Sequence, residues 1–523
     1  MEKTSLTILF TSDIHGSVLP INYGSNDYSP IGLATYATIV EKIRSRKENV
    51  LVLDNGDLIQ GTPLITHYMK ELTHQKHPMI EIMNKIGIDA SVIGNHEFNY
   101  GKDVLTKAIQ DSKFPWLSAN ILNKDTKEPM FGQPYMIKQL DNGVKIAVVG
   151  VTTDYIPHWE SPEHIQGITF TDARDTLEQW VNYVRKTEAP DLVIASYHGG
   201  FERDLSTGER TERETSENQG YAMCETIEGI DLLLTGHQHR QLTGEINGIP
   251  VLQPGKNGEQ YGKVTIQLTK EQDAWNKTSI TTELCSLETV ESREDIVSYI
   301  QPFEDSTQKW LDQPLGYTKG DMTIQDPLEV RKQAHPFISF IQRVQKDVSG
   351  APISVTALLN NDTTGFRSTV TMRDVVSNYM YPNTLTVLKL TGADIRAAIE
   401  QSACYFMLDE DGEITVNPEY IEPKPQHYNY DMWEGVEYTI RVSKPFGKRL
   451  EKLTYHDEPI KDDDTFDVVI NNYRASGGGE FHMFPGKPIV KEIQKDTVEL
   501  IHSYFERYPT IEATTPNNFI VLP

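Results

Sequence analysis

The chain has 523 residues, more than one hydrophobic core of ordinary size holds, so we expect two domains with a connection between them. Hydrophobic residues at 38% and charged residues at 24% are typical of a folded globular protein and argue against disorder. Acidic residues outnumber basic ones 75 to 49, and the net charge of −26 argues against a broad basic face for nucleic acid. An anionic substrate would therefore need local positive charge, which metal ions could supply.

The first half of the chain repeats a short apolar run followed by a loop rich in Asp, Asn, Gly and His. Continuous apolar runs of this length are typical of strands buried on both faces, and they lie at 6–10, 50–53, 90–93, 145–151, 191–196 and 231–234. Helical periodicity lies between several of them, at 32–47 and at 79–87, where Gly87 suits a helix C-cap. Alternating strands and helices predict an α/β layered domain.

A charged, polar stretch follows this half, and residues 292–316 favour a helix that ends near Pro314 and Gly316. We predict a first domain over 1–289, a connector over 290–325 and a second domain over 326–523. The second domain also has an α/β pattern, with a helix predicted at 393–406 and strands at 352–359, 384–390, 436–442 and 466–472.

The cysteine pattern and the hydropathy of the sequence indicate where in the cell the protein is expected to be. Cys224, Cys285 and Cys404 are too scattered for a disulfide framework or a CxxC metal site, and we expect them to be buried small hydrophobic residues. The opening stretch MEKTSLTILFTSDIHG is too polar for a signal peptide, and no run of ~18 apolar residues occurs. The sequence predicts a cytoplasmic location with no membrane span; export is the alternative if the N-terminus was trimmed.

Metal-capable side chains follow the predicted strands in five loops, SDIHG, NGD, GNHE, SYHGG and TGHQH. In open α/β sheets such loops meet at the carboxyl edge of the strands. Asp13 and His15 are two residues apart, so on extended backbone they would point to the same side and reach one ion, and GHQH repeats the spacing. Nitrogen and oxygen donors without thiolate suit Mn²⁺, Zn²⁺, Co²⁺ or Fe. The predicted ligands are too many for one tetrahedral ion and about right for two: Asp13, His15, Asp57, Asn95, His198, His237 and His239.

Each of these residues has an ordinary alternative explanation. A lone histidine after a strand is usually a loop residue, and Gly56, Gly94 and Gly236 could be turn formers only. The order and spacing of all five loops together favour a binuclear metal site.

The five loops, D-x-H, GD, GNHE, an isolated His and GHxH, resemble the calcineurin-like binuclear metallophosphoesterases. The whole chain is similar to the superfamily of 5'-nucleotidases and 2',3'-cyclic-nucleotide phosphodiesterase/3'-nucleotidases. This resemblance implies an α/β fold: a four-layer α/β/β/α domain followed by an α/β domain of the 5'-nucleotidase C-terminal type. It also implies one ion held by Asp13, His15, Asp57 and His239, and a second held by Asp57, Asn95, His198 and His237. His96 then matches the family's catalytic histidine, which binds no metal, and Glu97 is expected to be a structural residue of the loop.

The residue three after His96 separates two branches of this superfamily. The 5'-nucleotidases place an Asp there, whereas this chain has Asn99, and GNHEFNYG, DNGDLIQGTPL, YPNTLTVLKLTG and NNYRASGGGEF are similar to the cyclic-phosphodiesterase/3'-nucleotidase branch. An amide can orient His96 by a hydrogen bond but lacks the charge that stabilises an imidazolium. We hypothesise that His96 is less readily protonated than in the Asp-bearing branch.

The resemblance further implies that the second domain binds the nucleoside, with two aromatic rings on either side of the base. Tyr381 and Tyr473 match those positions, and stacking suits a site that tolerates different bases. Asn361, Arg367 and Arg474 are further predicted substrate contacts, with a solvated surface charge as the alternative for Arg367.

These expectations combine into one predicted activity. A metal-bound hydroxide would open a 2',3'-cyclic nucleotide to a 3'-nucleotide, and a second hydrolysis would release nucleoside and phosphate. A 5'-nucleotidase or broad nucleotide phosphatase is the alternative enzyme, and a non-catalytic nucleotide sensor is the alternative from another class. We expect a small nucleotide as partner, and neither a nucleic-acid polymer nor a membrane.

Overall fold

A computed structural model of the chain describes residues 2–158, 160, 162–211, 215–272, 274–379, 383–421 and 425–523. The chain divides into two compact units, the first comprising 1–22 and 26–308, and the second comprising 23–25 and 309–523. The domain limits proposed from the sequence stay predictions, and the helix Glu294–Leu311 lies within the predicted connector.

The strands of the first unit, within its described residues, are β1 (Lys3–Thr11), β2 (Val50–Asp54), β3 (Ala90–Val92), β4 (Trp116–Leu117), β5 (Ile121–Asn123), β6 (Tyr135–Gln139), β7 (Lys145–Thr152), β8 (Ile168–Phe170), β9 (Leu192–His198), β10 (Leu232–Thr235), β11 (Gln241–Ile246), β12 (Ile249–Pro254), β13 (Gln260–Glu271) and β14 (Ala274–Ser286). They form two six-stranded sheets, with orders β14-β13-β1-β2-β3-β4 and β11-β12-β10-β9-β7-β6, while β5 pairs with β8. Strands β1, β2 and β3 run parallel, as do β7, β9 and β10, so their carboxyl ends lie along one edge of each sheet.

The helices that begin in the first unit are α1 (Leu33–Arg44), α2 (Pro63–His67), α3 (Pro78–Ile86), α4 (Lys102–Asp111), α5 (Ala173–Thr187), α6 (Gly220–Thr226) and α7 (Glu294–Leu311). Gly87 ends α3 with φ of 72°, as the sequence predicted for this C-cap.

The core of the first unit shows why four layers form. Leu53 of the first sheet and Ile194 of the second belong to one buried cluster, so the two sheets pack face to face. The other face of the second sheet buries Val149 against Leu177 and Val181 of α5. On the first sheet α1 packs against β2. The predicted α/β/β/α arrangement is confirmed.

The second unit has, within its described residues, the strands β15 (Pro314–Lys319), β16 (Met322–Thr323), β17 (Ile353–Ala357), β18 (Gly365–Phe366), β19 (Thr369–Thr371), β20 (Leu385–Thr391), β21 (Phe406–Leu408), β22 (Ile414–Val416), β23 (Asp431–Glu434), β24 (Glu437–Arg441), β25 (Leu450–Tyr455), β26 (Glu458–Pro459), β27 (Thr465–Asn471), β28 (Ile489–Ile493), β29 (Thr510–Glu512) and β30 (Phe519–Leu522). Its helices are α8 (Pro327–Lys332), α9 (Pro336–Ser349), α10 (Met372–Asn378), α11 (Gly392–Ala403), α12 (Asn472–Ala475) and α13 (Thr497–Arg507). A five-stranded sheet of order β23-β17-β27-β20-β28 forms its centre, so the predicted α/β character of this unit is confirmed.

Three details refine the sequence expectations. The long antiparallel pair β13 and β14, which extends the first sheet beyond β1, was not predicted. Cys224 is buried as expected, but Cys285 and Cys404 are only half-buried, and none of the three forms a disulfide. A search of the helices in the described residues found none with the length and hydropathy needed to cross a membrane.

Candidate metal and catalytic site

The predicted ligands all follow the carboxyl ends of parallel strands. Asp13 and His15 follow β1, Asp57 follows β2 and Asn95 follows β3 in the first sheet. In the second sheet His198 is the last residue of β9, and the loop after β10 carries His237 and His239. The contacts below show that loops from the two sheets meet, as the sequence predicted for this edge.

The first group of ligands consists of Asp13, His15 and His239. The Nε2 atoms of the two histidines lie 2.9 Å apart, and the carboxylate Oδ1 of Asp13 lies 3.5 Å from His239 Nε2 and 4.0 Å from His15 Nε2. The three side chains therefore converge on one small volume from different loops.

The second group consists of Asp57, Asn95, His198 and His237. Asn95 Oδ1 lies 2.9 Å from His237 Nδ1 and 3.0 Å from His198 Nε2. Asp57 Oδ2 lies 3.1 Å from His198 Nε2 on one side and 4.0 Å from the His15 Nε2 of the first group on the other. Asp57 therefore lies between the two groups, where the resemblance placed a bridging carboxylate.

The backbone at these loops differs from the extended conformation that the sequence reasoning assumed. Five of the seven ligand residues have positive φ, between 49° and 67°: Asp13, His15, Asp57, His237 and His239. Non-glycine residues adopt this left-handed conformation rarely and at some cost, and it concentrates at functional sites. Asp13 and His15 do reach one point, but they do so through a left-handed turn. The matching spacing of His237 and His239 instead sends one histidine to each group.

Backbone carbonyls outside the two ligand groups orient the rings of His15 and His198. His15 Nδ1 donates to the carbonyl of Gln60 at 3.2 Å, and His198 Nδ1 donates to the carbonyl of Asn55 at 2.5 Å. Since a carbonyl only accepts, each Nδ1 carries a proton, and Nε2 is the ring nitrogen directed at the site.

In His237 a carboxylate holds the other ring nitrogen, Nε2, so that Nδ1 is the nitrogen directed at the site. Its Nε2 lies 3.0 Å from Glu217 Oε1, so the proton resides on Nε2 and Nδ1 faces Asn95. Glu217 was not predicted from the sequence, because it lies 20 residues before His237 in a loop without a recognisable motif.

Two glycines beside the ligands leave no room for a side chain. A Cβ at Gly94 would lie 2.3 Å from Asp57 Oδ1, and one at Gly236 would lie 2.6 Å from Asp13 Oδ2. These glycines therefore permit the ligand carboxylates to approach the backbone, in addition to any role in turns.

The buried carboxylate of Glu97 joins two of the ligand loops. It accepts hydrogen bonds from four backbone N–H groups, those of Asp57 at 2.8 Å, Leu58 at 2.6 Å, Ile59 at 3.3 Å and Gly94 at 2.7 Å. Burial, together with the nearby charge of Asp57, raises the pKa of Glu97 to about 7, whereas the N–H donors lower it. The geometry matches the structural role expected of Glu97.

The donor set fits divalent cations. Asp57 Oδ2 is buried and accepts no well-aligned hydrogen bond, and the two Nε2 atoms of the first group face each other across 2.9 Å. Burial, with His239 next, lowers the pKa of His15 to about 3, which keeps it in the neutral form that binds metals. At His198 burial is outweighed by Asp57, whose charge raises the pKa of the imidazole to about 10, so the site attracts positive charge. Imidazole, carboxylate and amide donors suit Mn²⁺, Zn²⁺, Co²⁺ or Fe.

His96 lies beside the first group, with its ring centroid 5.2 Å from that of His15. Its Nδ1 is 2.6 Å from Asn99 Oδ1, and its backbone N–H donates to Asp57 Oδ1 at 2.8 Å. Burial lowers the pKa of His96, but Asp57 and the hydrogen bond to Asn99 outweigh it, and the net shift is upward from its ordinary value. Whether the imidazolium is less stable than in an Asp-bearing relative stays a prediction.

The substrate residues predicted in the second unit have different surroundings. Tyr381 lies outside the described residues. Tyr473 is 41% exposed, with its ring centroid 6.1 Å from that of Tyr428. Asn361 is exposed and bonds to Arg331 at 2.9 Å and to His427 at 3.0 Å, and Arg367 is exposed.

Arg474 requires a correction. It is 1% exposed, and its guanidinium forms a buried ion pair with Asp431, with Nε to Oδ2 at 2.7 Å and Nη2 to Oδ1 at 3.1 Å. Further donors go to Asn429, to the carbonyl of Tyr428 and to that of Gly478. All three nitrogens are engaged within the unit, so this placement contradicts a direct substrate contact. Arg474 ties α12, which carries Tyr473, to Tyr428, Asn429 and Asp431.

Comparison with known proteins matches both units. The calcineurin-like phosphoesterase family model matches residues 6–241, and the model of the 5'-nucleotidase C-terminal domain matches residues 314–486. The chain is 28% identical to the trifunctional nucleotide phosphoesterase of Bacillus subtilis over 100% of this chain, and it spans only 39% of that protein's length. It is also 28% identical to the 2',3'-cyclic-nucleotide 2'-phosphodiesterase/3'-nucleotidase of Yersinia enterocolitica, over 92% of this chain and 83% of that one.

Among solved structures, the chain is similar to a Staphylococcus aureus protein to which 5'-nucleotidase activity has been ascribed, crystallised with alpha-ketoglutarate. The two share 35% sequence identity with a TM-score of 0.74, over 99% of this chain and 100% of that one. The chain belongs to the calcineurin-like phosphoesterases that carry a 5'-nucleotidase C-terminal domain.

Proposed function

We propose that this protein hydrolyses nucleotide phosphoesters at two divalent metal ions, with 2',3'-cyclic nucleotides and 3'-nucleotides as its preferred substrates. The observation that carries the proposal is the position of Asp57 between two ligand groups, within 3.1 Å of His198 and 4.0 Å of His15, with His96 alongside. This constellation suits the cleavage of a phosphoester and has no evident use in a protein that only binds nucleotides.

The residues divide into two ligand sets that share one carboxylate. Asp13, His15 and His239 would hold one ion, Asn95, His198 and His237 the other, and Asp57 both. Divalent ions bound there would lower the pKa of water to roughly 7 and neutralise charge on the phosphoryl oxygens. The protein's own contribution is to fix the donors in place through Gln60, Asn55, Glu217 and Glu97.

His96 would act on the phosphoryl group directly. With Nδ1 donating to Asn99, Nε2 is the ring nitrogen left to meet a substrate oxygen. In the protonated form Nε2–H donates to an oxygen on which negative charge develops, which is how fixed donors lower the barrier to such reactions. The influence of Asp57 and Asn99 favours that form, because both raise the pKa of His96.

The preference for cyclic and 3' substrates is supported by Asn99 and by the Yersinia enterocolitica relative, whose name states that activity. The alternative is a 5'-nucleotidase, and it is favoured by the Staphylococcus aureus structure, to which that activity has been ascribed. The identity of the metal and the cytoplasmic location stay predictions.

Tyr473 is the proposed stacking platform for the base. Its ring is 41% exposed and lies over the buried Arg474, whose Cζ is 5.6 Å from the ring centroid. Stacking of a base on an aromatic ring contributes roughly 1–3 kcal/mol, so Tyr473→Ala should raise KM about tenfold while Tyr473→Phe keeps it near the wild-type value. Equal KM values for the Ala and Phe variants would remove Tyr473 from the substrate site.

The substrate class is tested with 2',3'-cAMP, 3'-AMP and 5'-AMP, with Mn²⁺ and with chelator, by following the nucleotide and nucleoside products, because opening the cyclic ester releases no phosphate. The proposal predicts metal-dependent turnover with kcat/KM highest for the cyclic and 3' compounds. A higher kcat/KM for 5'-AMP would establish the alternative, and binding of all three without turnover at any metal would establish a nucleotide sensor.

A further inference from the structure

A line of four side chains runs outward from the catalytic histidine. His96 Nδ1 lies 2.6 Å from Asn99 Oδ1, and Asn99 Nδ2 donates to Glu160 Oε2 at 2.8 Å. The other carboxylate oxygen of Glu160, Oε1, lies 2.8 Å from His164 Nδ1. The chain brings Glu160 here from 61 residues after Asn99, on the segment that follows β7.

The chemistry of each group fixes the direction of these hydrogen bonds. A carboxylate only accepts, so Glu160 requires the NH₂ end of the Asn99 amide. The carbonyl end of Asn99 must then face His96, and a carbonyl requires the proton of His96 on Nδ1. Without Glu160 the amide of Asn99 could turn over and present a donor to His96.

We propose that Glu160 is the positioning residue of the catalytic histidine in this protein. It sets the amide of Asn99, whose oxygen then accepts from His96 Nδ1, and this turns Nε2 toward the substrate. The proposal rests on the role of His96 under the proposed function, and it assigns a purpose to a residue that no sequence motif marks.

The same geometry explains why position 99 holds an amide. An Asp at position 99 would place two carboxylates at about the 2.8 Å that now separates Asn99 Nδ2 from Glu160 Oε2. Two acceptors without a proton between them repel, and the 8% exposure of the Glu160 side chain limits relief by water. Asn99 and Glu160 therefore form a matched pair of an amide and a carboxylate. The negative charge lies on Glu160, which reaches His96 only through Asn99, whereas an Asp at position 99 would place the charge directly beside His96.

If the two residues form a matched pair, changing both should restore the activity that each single change removes, which is not expected of a residue with only a structural role. In Glu160→Gln the side chain at position 160 can donate as well as accept, so the Asn99 amide no longer has to turn its NH₂ group toward it. In Asn99→Asp two carboxylates, at positions 99 and 160, face each other. In the double variant N99D/E160Q, the amide of the new Gln donates to the new Asp, which still accepts from His96. The double variant should therefore recover activity that each single variant loses.

The test measures kcat and KM for bis-p-nitrophenyl phosphate with Mn²⁺, an ester chosen because it does not depend on the nucleotide preference. Each single variant should lose about tenfold in kcat with KM within about twofold, while the double variant returns to within about threefold of wild type. Glu163→Gln, which removes the same charge from an exposed residue three positions on, should match wild type. Losses that multiply in the double variant, or a Glu160→Gln variant as active as wild type, would overturn the proposal.

A second readout does not depend on turnover. The ¹⁵N shifts of the His96 ring, identified by their loss in His96→Gln and recorded at a pH where the imidazole is neutral, report which nitrogen carries the proton. Wild type and the double variant should show protonation of Nδ1, and Glu160→Gln should show a mixture. If wild type cleaves no phosphoester but the shifts follow this pattern, the proposed function fails and the positioning role stands. Unchanged shifts in Glu160→Gln would overturn the positioning role.

Discussion

Glu97 Oε2 accepts a hydrogen bond from the backbone N–H of Asp57 at 2.8 Å. The same carboxylate accepts from Gly94, so the loop that carries Asn95 and His96 is fastened to the loop that carries the shared ligand. Two predicted metal ligands that lie far apart in the sequence, Asp57 and Asn95, are thus held in register by one buried carboxyl group.

Glu97→Gln should weaken metal binding while the fold persists. The amide keeps one acceptor oxygen but turns an NH₂ group toward backbone donors, and each lost hydrogen bond to a charged group costs roughly 1.5–3 kcal/mol. We expect the affinity for Mn²⁺ to fall by at least about tenfold and the thermal midpoint to drop by several degrees. Calorimetric titration with Mn²⁺ measures the first effect, and wild-type affinity in this variant would contradict the assigned role.

Glu217→Gln should lower the affinity of the second ligand group. Glu217 accepts from His237 Nε2 at 3.0 Å, and carboxylates that orient a metal-binding histidine contribute about 10–100-fold to metal affinity or activity. The exposed Glu209, in the same loop region, provides a matched control with the same change of charge. Metal content after dialysis should fall for Glu217→Gln and stay at the wild-type value for Glu209→Gln; equal metal content in the two variants would refute the role of Glu217.

Gly94→Ala should lower activity strongly. The added methyl would lie 2.3 Å from Asp57 Oδ1 and 2.8 Å from His198 Cε1, so the ligand carboxylate must move. A displacement of this size at a catalytic centre costs about a hundredfold in rate. Gly244→Ala is the control, because its nearest contact is a side-chain atom of Leu205 at 3.2 Å. An active Gly94→Ala variant would show that Asp57 tolerates displacement.

Asp54 should make the free energy of unfolding depend on pH. Its burial raises the pKa of this carboxyl to about 6, against hydrogen bonds from Ser91, Gly56 and Thr11 that lower it. The folded state then holds the proton more tightly than the unfolded state, where the carboxyl titrates near 3.8. Stability from this group is fully present below about pH 4, falls as pH rises to about 6 and is constant above that.

The size of that pH effect is at most roughly 3 kcal/mol, at about 1.4 kcal/mol for each unit of pKa. Asp54→Asn removes it, so the difference in unfolding free energy between wild type and this variant should change between about pH 4 and pH 6. Urea unfolding at several pH values measures that difference. A constant difference across the window would show that Asp54 titrates normally.

The strands and the ligand loops were predictable because each is a local pattern. A buried parallel strand needs a continuous apolar run, as in residues 145–151, and a ligand loop must follow where such a strand ends. The two-sheet core was implied only by the resemblance, since apolar runs do not say which sheet a strand joins. The pair β13 and β14 was missed because its polar-rich alternation resembles that of many surface segments.

The residues that orient the site could not be predicted from local patterns. Glu160 and Glu217 reach His96 and His237 only through tertiary structure, and a glutamate in a polar loop has no distinguishing neighbours. Arg474 was misjudged for a related reason, because its buried partner Asp431 lies 43 residues away. The positive φ of the ligands was also hidden, since Asp and His do not mark a left-handed turn as glycine does.

Under the proposed function, hydrolysis depends on two ions held by the two ligand groups. The most direct measurement is a titration of chelator-treated protein with Mn²⁺, in which bound metal and bis-p-nitrophenyl phosphate hydrolysis are followed on the same samples. We predict two ions bound per chain, activity that rises with the second, and loss of one ion together with activity in His239→Gln. Full activity with one ion, or activity that survives complete removal of metal, would show that hydrolysis does not require the pair of ions.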